Sequence, residues 1–195
     1  MKPYLIKIFI ILMWIGTLFP RGVEAQASRE IPIKAAYLVN FAKYIDWPDS
    51  AFADATSPII IGILGTDSFG VLLDKLIENK VVKDREFLIK RFPTLDALDY
   101  CHILFIGEEK IAMDSSANTQ NPIRWDSAEI KNLMEKLEKP MLLVGDFNGF
   151  AEMGGHIEFK KSGNNIKFIF NLKTARQAGL DVRSSILRVA AEVKE

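Results

Sequence analysis

The sequence contains a single cysteine, Cys101, and only two histidines among its 195 residues. One cysteine cannot form an internal disulfide, so the fold cannot depend on such a bond. The two histidines, His102 and His156, lack cysteines or carboxylates at the spacing that zinc or copper sites use. We therefore expect neither a metal nor another cofactor.

The sequence also lacks an excess of charge of either sign, with 25 lysines and arginines against 25 aspartates and glutamates. A nucleic-acid-binding protein needs a basic surface, so we expect no nucleic-acid partner. The G-x-S-x-G elbow of hydrolases and the G-x-x-x-x-G-K-[ST] phosphate loop are both absent. Gly62, Gly65 and Gly70 instead favour a tight strand-to-helix turn, whose helix start could still accept an anion. We therefore expect the protein not to be an enzyme.

The one long hydrophobic run, Tyr4 to Phe19, is shorter than the roughly 20 residues of a typical membrane span. It contains Lys7, and it is followed by Val23-Glu24-Ala25, whose small first and third residues suit signal peptidase. We predict that residues 1–25 are a cleaved signal peptide, with an uncleaved anchor as the alternative. Cleavage removes three basic residues and one acidic residue, which leaves a net charge near −2.

Residues 26–195 have the length of a single domain with a good core, and they show no internal repeat or linker. Residues 26–30 are polar and are expected to be disordered. The segment Lys34–Pro48 has the period of a helix laid on a core, and Trp47-Pro48 ends it. Its apolar face consists of Ile33, Tyr37, Leu38, Phe41, Tyr44 and Ile45.

The rest of the domain alternates strand and helix patterns, which predicts a mainly parallel sheet with right-handed crossovers. A polar turn at Ser162–Asn165 joins two alternating segments and predicts an antiparallel hairpin at the C-terminal side. We therefore predict an α/β fold of three layers, with helices on both faces of the sheet. The predicted strands are Ile59–Leu64, Glu86–Arg91, Ile103–Ile106, Met141–Val144, His156–Lys160 and Ile166–Asn171, and the predicted helices include Leu72–Ile77, Ile130–Leu137, a short turn of helix at Leu95–Leu98, and a last helix carrying Ile186, Leu187, Ala190 and Val193.

The end of the first helix is the best candidate for a partner- or ligand-binding site. It brings together Tyr44, Asp46 and Trp47, and in the expected topology Arg183 faces Asp46 across a groove floored by Trp47. The arrangement is either an ordinary surface ion pair beside a tryptophan or a binding hot spot, in which tryptophan and arginine are enriched. Phe150 lies at the middle of a glycine-flanked loop and is a second candidate contact residue.

Asp146 follows a predicted buried strand, a position where α/β proteins often place functional groups. An exported protein meets no ATP-driven kinase, so this aspartate is interpreted as part of a structural turn.

Five segments in order along the chain carry a resemblance to a known family: Lys34–Pro48, Ile59–Gly70, Cys101–Gly107, Leu143–Phe159, and Ile166–Asn171 leading into Ala178–Leu180 and Ser184–Arg188. Together they resemble the YfiR-like family of bacterial periplasmic proteins. The resemblance implies an exported α/β protein that binds the periplasmic sensor domain of an inner-membrane diguanylate cyclase and inhibits it. It also implies an OmpA-like outer-membrane lipoprotein as a second partner, which draws the inhibitor away.

Redox-sensing members of this family carry further cysteines, including one in the loop that reads Gly149–Gly154 in this chain. No cysteine stands there, so disulfide-based sensing is not expected within one chain, and a homodimer stays open as an assembly. Two alternative functions also remain open: a periplasmic small-ligand binding protein, and an accessory sensor for another membrane receptor.

We predict export with cleavage after Ala25, because small residues precede Gln26 at the positions that signal peptidase reads. Intact-mass analysis of protein from the periplasmic fraction should give a chain that begins at Gln26. A mature chain that begins at Met1 would contradict the prediction.

Overall fold

A computed structural model of the protein describes residues 22–107 and 125–195, with side chains from residue 29 onward. The predicted signal peptide up to residue 21 and the sequence between residues 108 and 124 lie outside the described residues. The elements in chain order are α1 (Gly22–Tyr44), β1 (Ile45–Asp46), a 3-10 turn (Asp49–Ala51), β2 (Ile59–Leu64), α2 (Val71–Ile77), β3 (Val81–Val82), β4 (Arg85–Phe92), β5 (Ile103–Ile106), α3 (Ser127–Lys136), β6 (Leu142–Gly145), β7 (Ile157–Ser162), β8 (Asn165–Asn171), α4 (Leu172–Gln177), β9 (Asp181–Val182), α5 (Ser184–Leu187) and β10 (Glu192–Lys194).

Eight of these strands form one sheet in the order β10-β8-β7-β6-β5-β2-β4-β3. Strands β4, β2, β5, β6 and β7 run parallel to one another. Strand β3 pairs antiparallel with β4, β7 and β8 form the predicted antiparallel hairpin, and β10 runs parallel to β8. The central register sets Ile61 beside Ile103 and Ile103 beside Leu142. These observations confirm the predicted α/β class and its mainly parallel sheet.

The two faces of the sheet are covered differently. Helices α1, α2, α4 and α5 bury one face in the larger hydrophobic core, whose largest side chains include Phe41, Phe105 and Phe168. On the other face α3 places Ile130 and Leu133 in a second core. Within the described ranges α3 is the only helix on that face. No helix of the described part of the chain combines the length and the hydrophobicity that crossing a membrane requires.

Helix α1 begins earlier than the sequence pattern predicts. Residues 26–30, expected to be disordered, are helical, and Glu30 forms ion pairs with Lys34 one turn later and with Lys161 on β7. These pairs tie the helix start to the hairpin. The predicted cleavage site after Ala25 lies inside α1, so cleavage would remove the segment Gly22–Ala25 from its N-terminal end.

The last predicted helix is wrong beyond its first turn. Helix α5 ends at Leu187, and Val193, predicted on its apolar face, lies in strand β10 beside Phe170. The backbone N–H of Ala191 donates to the carbonyl of Phe168 at 2.8 Å. Pairing with the open edge of β8 gives this segment backbone hydrogen bonds that a short exposed helix would leave to water.

The two histidines occupy equivalent places in the sheet. His102 stands before β5 and accepts a hydrogen bond at Nδ1 from the backbone N–H of Ile60, while His156 stands before β7 and accepts one from Leu143, both at 3.0 Å. Burial lowers the pKa of each imidazole to about 4. Each ring is therefore a neutral acceptor that completes the backbone bonding of a neighbouring strand.

We predict that His156 makes the protein sensitive to acid. Below pH 6.5 the unfolded chain binds a proton that the buried imidazole does not bind until about pH 4. Stability present above pH 6.5 should therefore be lost as the pH falls, by about 1.4 kcal/mol per pH unit for this group. In His156→Asn the amide oxygen replaces the Nδ1 acceptor but does not titrate, so urea unfolding between pH 7.5 and 4.5 should show a shallower fall.

The matched variant His102→Asn should reduce the slope in the same way, because its imidazole has the same role. Parallel pH profiles for wild type and both variants would show that neither buried histidine resists protonation.

We also predict that thiol oxidants leave the stability of the folded monomer unchanged. Cys101 is buried, with its Sγ 3.8 Å from the Sδ of Met141, and burial raises the pKa of its thiol to about 12. The reactive thiolate is therefore scarce and shielded. Melting temperatures of reduced and oxidised monomer should agree, with a non-reducing gel to exclude linked dimers. A shift of several degrees in the monomer would refute this.

Candidate functional site

The candidate site is built on a short antiparallel ribbon formed by β1 and β9. Ile45 lies opposite Val182 and Asp46 opposite Asp181, and the N–H of Arg183 donates to the carbonyl of Tyr44 at 2.9 Å. Ile45 and Val182 are buried in the larger core. Their burial holds the ribbon in place and leaves the intervening polar side chains at the surface.

The expected pairing of Arg183 with Asp46 is present and is bidentate. Arg183 donates from Nε to one carboxylate oxygen at 2.8 Å and from Nη2 to the other at 3.1 Å. The hydrogen bond from Arg183 is the main cause that lowers the pKa of Asp46, and the same bond raises the pKa of Arg183. Both groups therefore stay charged at neutral pH. Because the pair is exposed and screened by solvent, it adds little to the stability of the fold.

Lys83 is a third member of this site, and no sequence pattern predicted its place there. Its Nζ lies 2.5 Å from a carboxylate oxygen of Asp46 and also donates to the carbonyl of Ile45. It comes from the turn between β3 and β4, where Lys83 and Asp84 both have positive φ angles of 54° and 62°. Consecutive left-handed residues are uncommon outside glycine, and they aim Lys83 at a carboxylate 37 positions earlier in the chain.

Trp47 lies beneath the charged residues and is mostly covered, with 9% of its surface exposed. Its ring is edge-on to His102 at 5.7 Å, and the Nζ of Lys83 lies 5.9 Å from the ring centre. Its indole Nε1 is buried without a hydrogen-bond partner among the described residues. Trp47 therefore supports the ion pair from below and offers little ring surface to a partner. Tyr44 is half-buried against the larger core.

Phe150, predicted as a second contact residue, is instead a core side chain with 0% exposure. Its ring fills the space left by two glycines: a Cβ atom on Gly145 or Gly155 would lie about 2.2 or 2.1 Å from it. The loop is fixed at Ala151, whose N–H donates to Glu158 at 3.0 Å and whose carbonyl accepts from Asn171 at 2.9 Å. The prediction that Phe150 contacts a partner is wrong, because the ring is buried in the space beside Gly145 and Gly155.

Asp146, interpreted from the sequence as part of a structural turn, follows the last residue of β6. Its carboxylate binds the Nζ of Lys34 at 2.7 Å, which ties α1 to the carboxyl end of β6. Among residues 29–107 and 125–195, no three His, Cys, Asp or Glu side chains lie close enough together to hold a metal ion.

The ABC domain in complex with L-Trp from Streptococcus pneumonia is similar over 82% of this chain and 61% of that chain, at 12% identity and a TM-score of 0.43. Likeness at this level supports no inference about ligand or function. No curated protein is significantly similar in sequence to this chain.

A protein-family model described as YfiR/HmsC-like matches residues 32–191. The matched range begins inside α1, ends just before β10 and includes the ribbon with Asp46 and Arg183. The chain therefore belongs to the YfiR/HmsC-like family.

Proposed function

We propose that this protein is a periplasmic regulator that binds the sensor domain of an inner-membrane diguanylate cyclase and holds the enzyme inactive. The observation that carries the proposal is the family match over residues 32–191. The YfiR/HmsC-like family suggests periplasmic regulation of cyclic di-GMP signalling, and the family is regulatory rather than catalytic.

We further propose that the sensor domain contacts the surface formed by Asp46, Lys83 and Arg183. These three residues come from separate segments and are already ordered by mutual ion pairs. A pre-ordered surface loses little side-chain freedom when it binds, which favours affinity. The backbone bonds of the ribbon and the buried Trp47 below it add to this rigidity.

The chemistry of Arg183 also supports contact with a protein partner. Its two hydrogen bonds to Asp46 use two of the five N–H donors of a guanidinium group. The remaining donors are available to a carboxylate or a backbone carbonyl of the sensor domain. Arginine is among the residues most enriched in binding hot spots.

The test is the cellular concentration of cyclic di-GMP in a strain that lacks the gene. Deletion should raise the concentration, and wild-type protein supplied from a plasmid should lower it again. Arg183→Glu should fail to do so, because reversal of a hot-spot charge weakens binding by about 30-fold or more. Mass spectrometry of nucleotide extracts gives the readout, and immunoblots confirm equal protein levels.

The matched control is Arg188→Glu, since Arg188 is exposed nearby on the same segment and undergoes the same charge change. This variant should restore wild-type cyclic di-GMP. If Arg183→Glu restores wild-type cyclic di-GMP, the proposed contact surface is wrong, but the proposed function is not contradicted. A deletion strain with unchanged cyclic di-GMP would refute the function and favour another membrane receptor as the partner.

A further inference from the structure

Two crossovers without helices flank α3 on its face of the sheet. In the segment between β6 and β7, the ring of Phe150 fills the space beside α3 in the second core. The segment between β4 and β5, where a short helix at Leu95–Leu98 was predicted, contains only turns and bends. It leaves a groove of about 590 Å³ between its own side chains and the C-terminal half of α3.

The floor of this groove is apolar. Leu133 and Met141 are buried at its base, and Leu95, Leu98 and Leu137 are half-buried along its walls. Small-molecule sites are typically concave, mostly apolar and about 300–1,000 Å³ in volume. The groove has the size of such a site, and it combines an apolar floor with a polar rim.

The rim of the groove is predominantly acidic, with four carboxylates and two lysines. Asp99 is held by Lys90 at 2.5 Å, and Glu129 takes part in the capping box that begins α3. Asp96 and Glu138 form no hydrogen bond or ion pair with any described residue. Four rim carboxylates against two rim lysines leave a net negative charge beside the apolar floor, and this charge favours a ligand that carries positive charge.

One wall of the groove contains a cation–π contact within the protein. Tyr100 donates its hydroxyl hydrogen bond to the carbonyl of Pro140 at 3.1 Å, which fixes the ring. The Nζ of Lys139 lies 5.2 Å from the centre of that ring, within the range of a cation–π interaction. Because Lys139 is exposed, the cationic group of a ligand can displace its ammonium group from the ring.

We propose that this groove binds a small amphiphile with a compact apolar body and one cationic group. The apolar body lies on the leucines and Met141, while the cation lies between the Tyr100 ring and the carboxylates of Asp96 and Glu138. This site is on the opposite face of the sheet from Asp46 and Arg183. A test of this groove therefore does not decide whether the protein contacts a cyclase, and the reverse is also true.

The first experiment compares head groups by calorimetric titration of the purified protein. The probes are octyltrimethylammonium, octanoate and octyl glucoside, each below its micelle concentration. The cationic probe should bind at least about tenfold more tightly than the anionic one. Asp96→Asn combined with Glu138→Gln should weaken cation binding by about fivefold for each charge removed, whereas Glu135→Gln on the outward side of α3 should leave it unchanged.

The second experiment blocks the groove. Leu98→Arg places a cation on its wall and should abolish binding of octyltrimethylammonium. The matched variant Leu88→Arg makes the same change at a residue that is 44% exposed and does not line the groove, and it should bind like wild type. Circular dichroism establishes whether each variant is folded. If Leu98→Arg is unfolded, the double carboxylate variant alone tests the proposal.

The proposal is overturned if octyltrimethylammonium does not bind, or if the three head groups bind equally. It is also overturned if folded Leu98→Arg or the double carboxylate variant binds as tightly as wild type.

Discussion

The packing of α1 against the β7–β8 hairpin determines where the candidate contact surface lies. Tyr37 and Phe41 meet Phe168 edge-on with ring centres 5.5 and 5.4 Å apart, and both rings also approach Phe159. Such aromatic contacts contribute about 0.5–1.5 kcal/mol each beyond the area they bury. These contacts fix α1 on the sheet. Because β1 follows α1 directly, they also place β1 where it can pair with β9.

This arrangement explains how weak ion pairs can form an ordered polar surface. The ion pairs among Asp46, Lys83 and Arg183 are individually weak, since exposed pairs are screened by solvent. Their order comes from the backbone beneath them. The β1–β9 ribbon positions Asp46 and Arg183, and the positive-φ turn positions Lys83. The buried ring of Trp47 lies next to Lys83.

The sequence predicted the main features of the fold because those features depend on local patterns. Apolar runs such as Ile103–Ile106 form strands that are buried on both faces. The helical period of Ile130–Leu137 predicts α3, whose start is fixed by a capping box of Asp126 and Glu129. The strand and helix predictions required only the period of each segment and the rule that parallel strands need crossovers. The pairing of Asp46 with Arg183 was expected because chain termini often lie close in compact domains, but the β1–β9 ribbon that joins the two segments was not predicted.

The parts that sequence reasoning missed depend on contacts between distant segments. Strand β10 forms because β8 offers an open edge, which no local pattern in Glu192–Lys194 reveals. Lys83 reaches Asp46 only through an unusual turn. Gly145 and Gly155 leave space for the ring of Phe150. The sequence does not reveal this, because the loop must first fold so that the ring lies between the two glycines.

The ring of Phe150 and its two glycines have a consequence for how this loop can diverge among relatives. Because the ring occupies the space where both Cβ atoms would stand, neither glycine can gain a side chain while the phenylalanine remains. A relative with a larger residue at either glycine position must carry a smaller one at the position of Phe150, or a differently folded loop. The three positions are therefore expected to covary as a unit in an alignment, although residues 145 and 155 are separated by most of the loop.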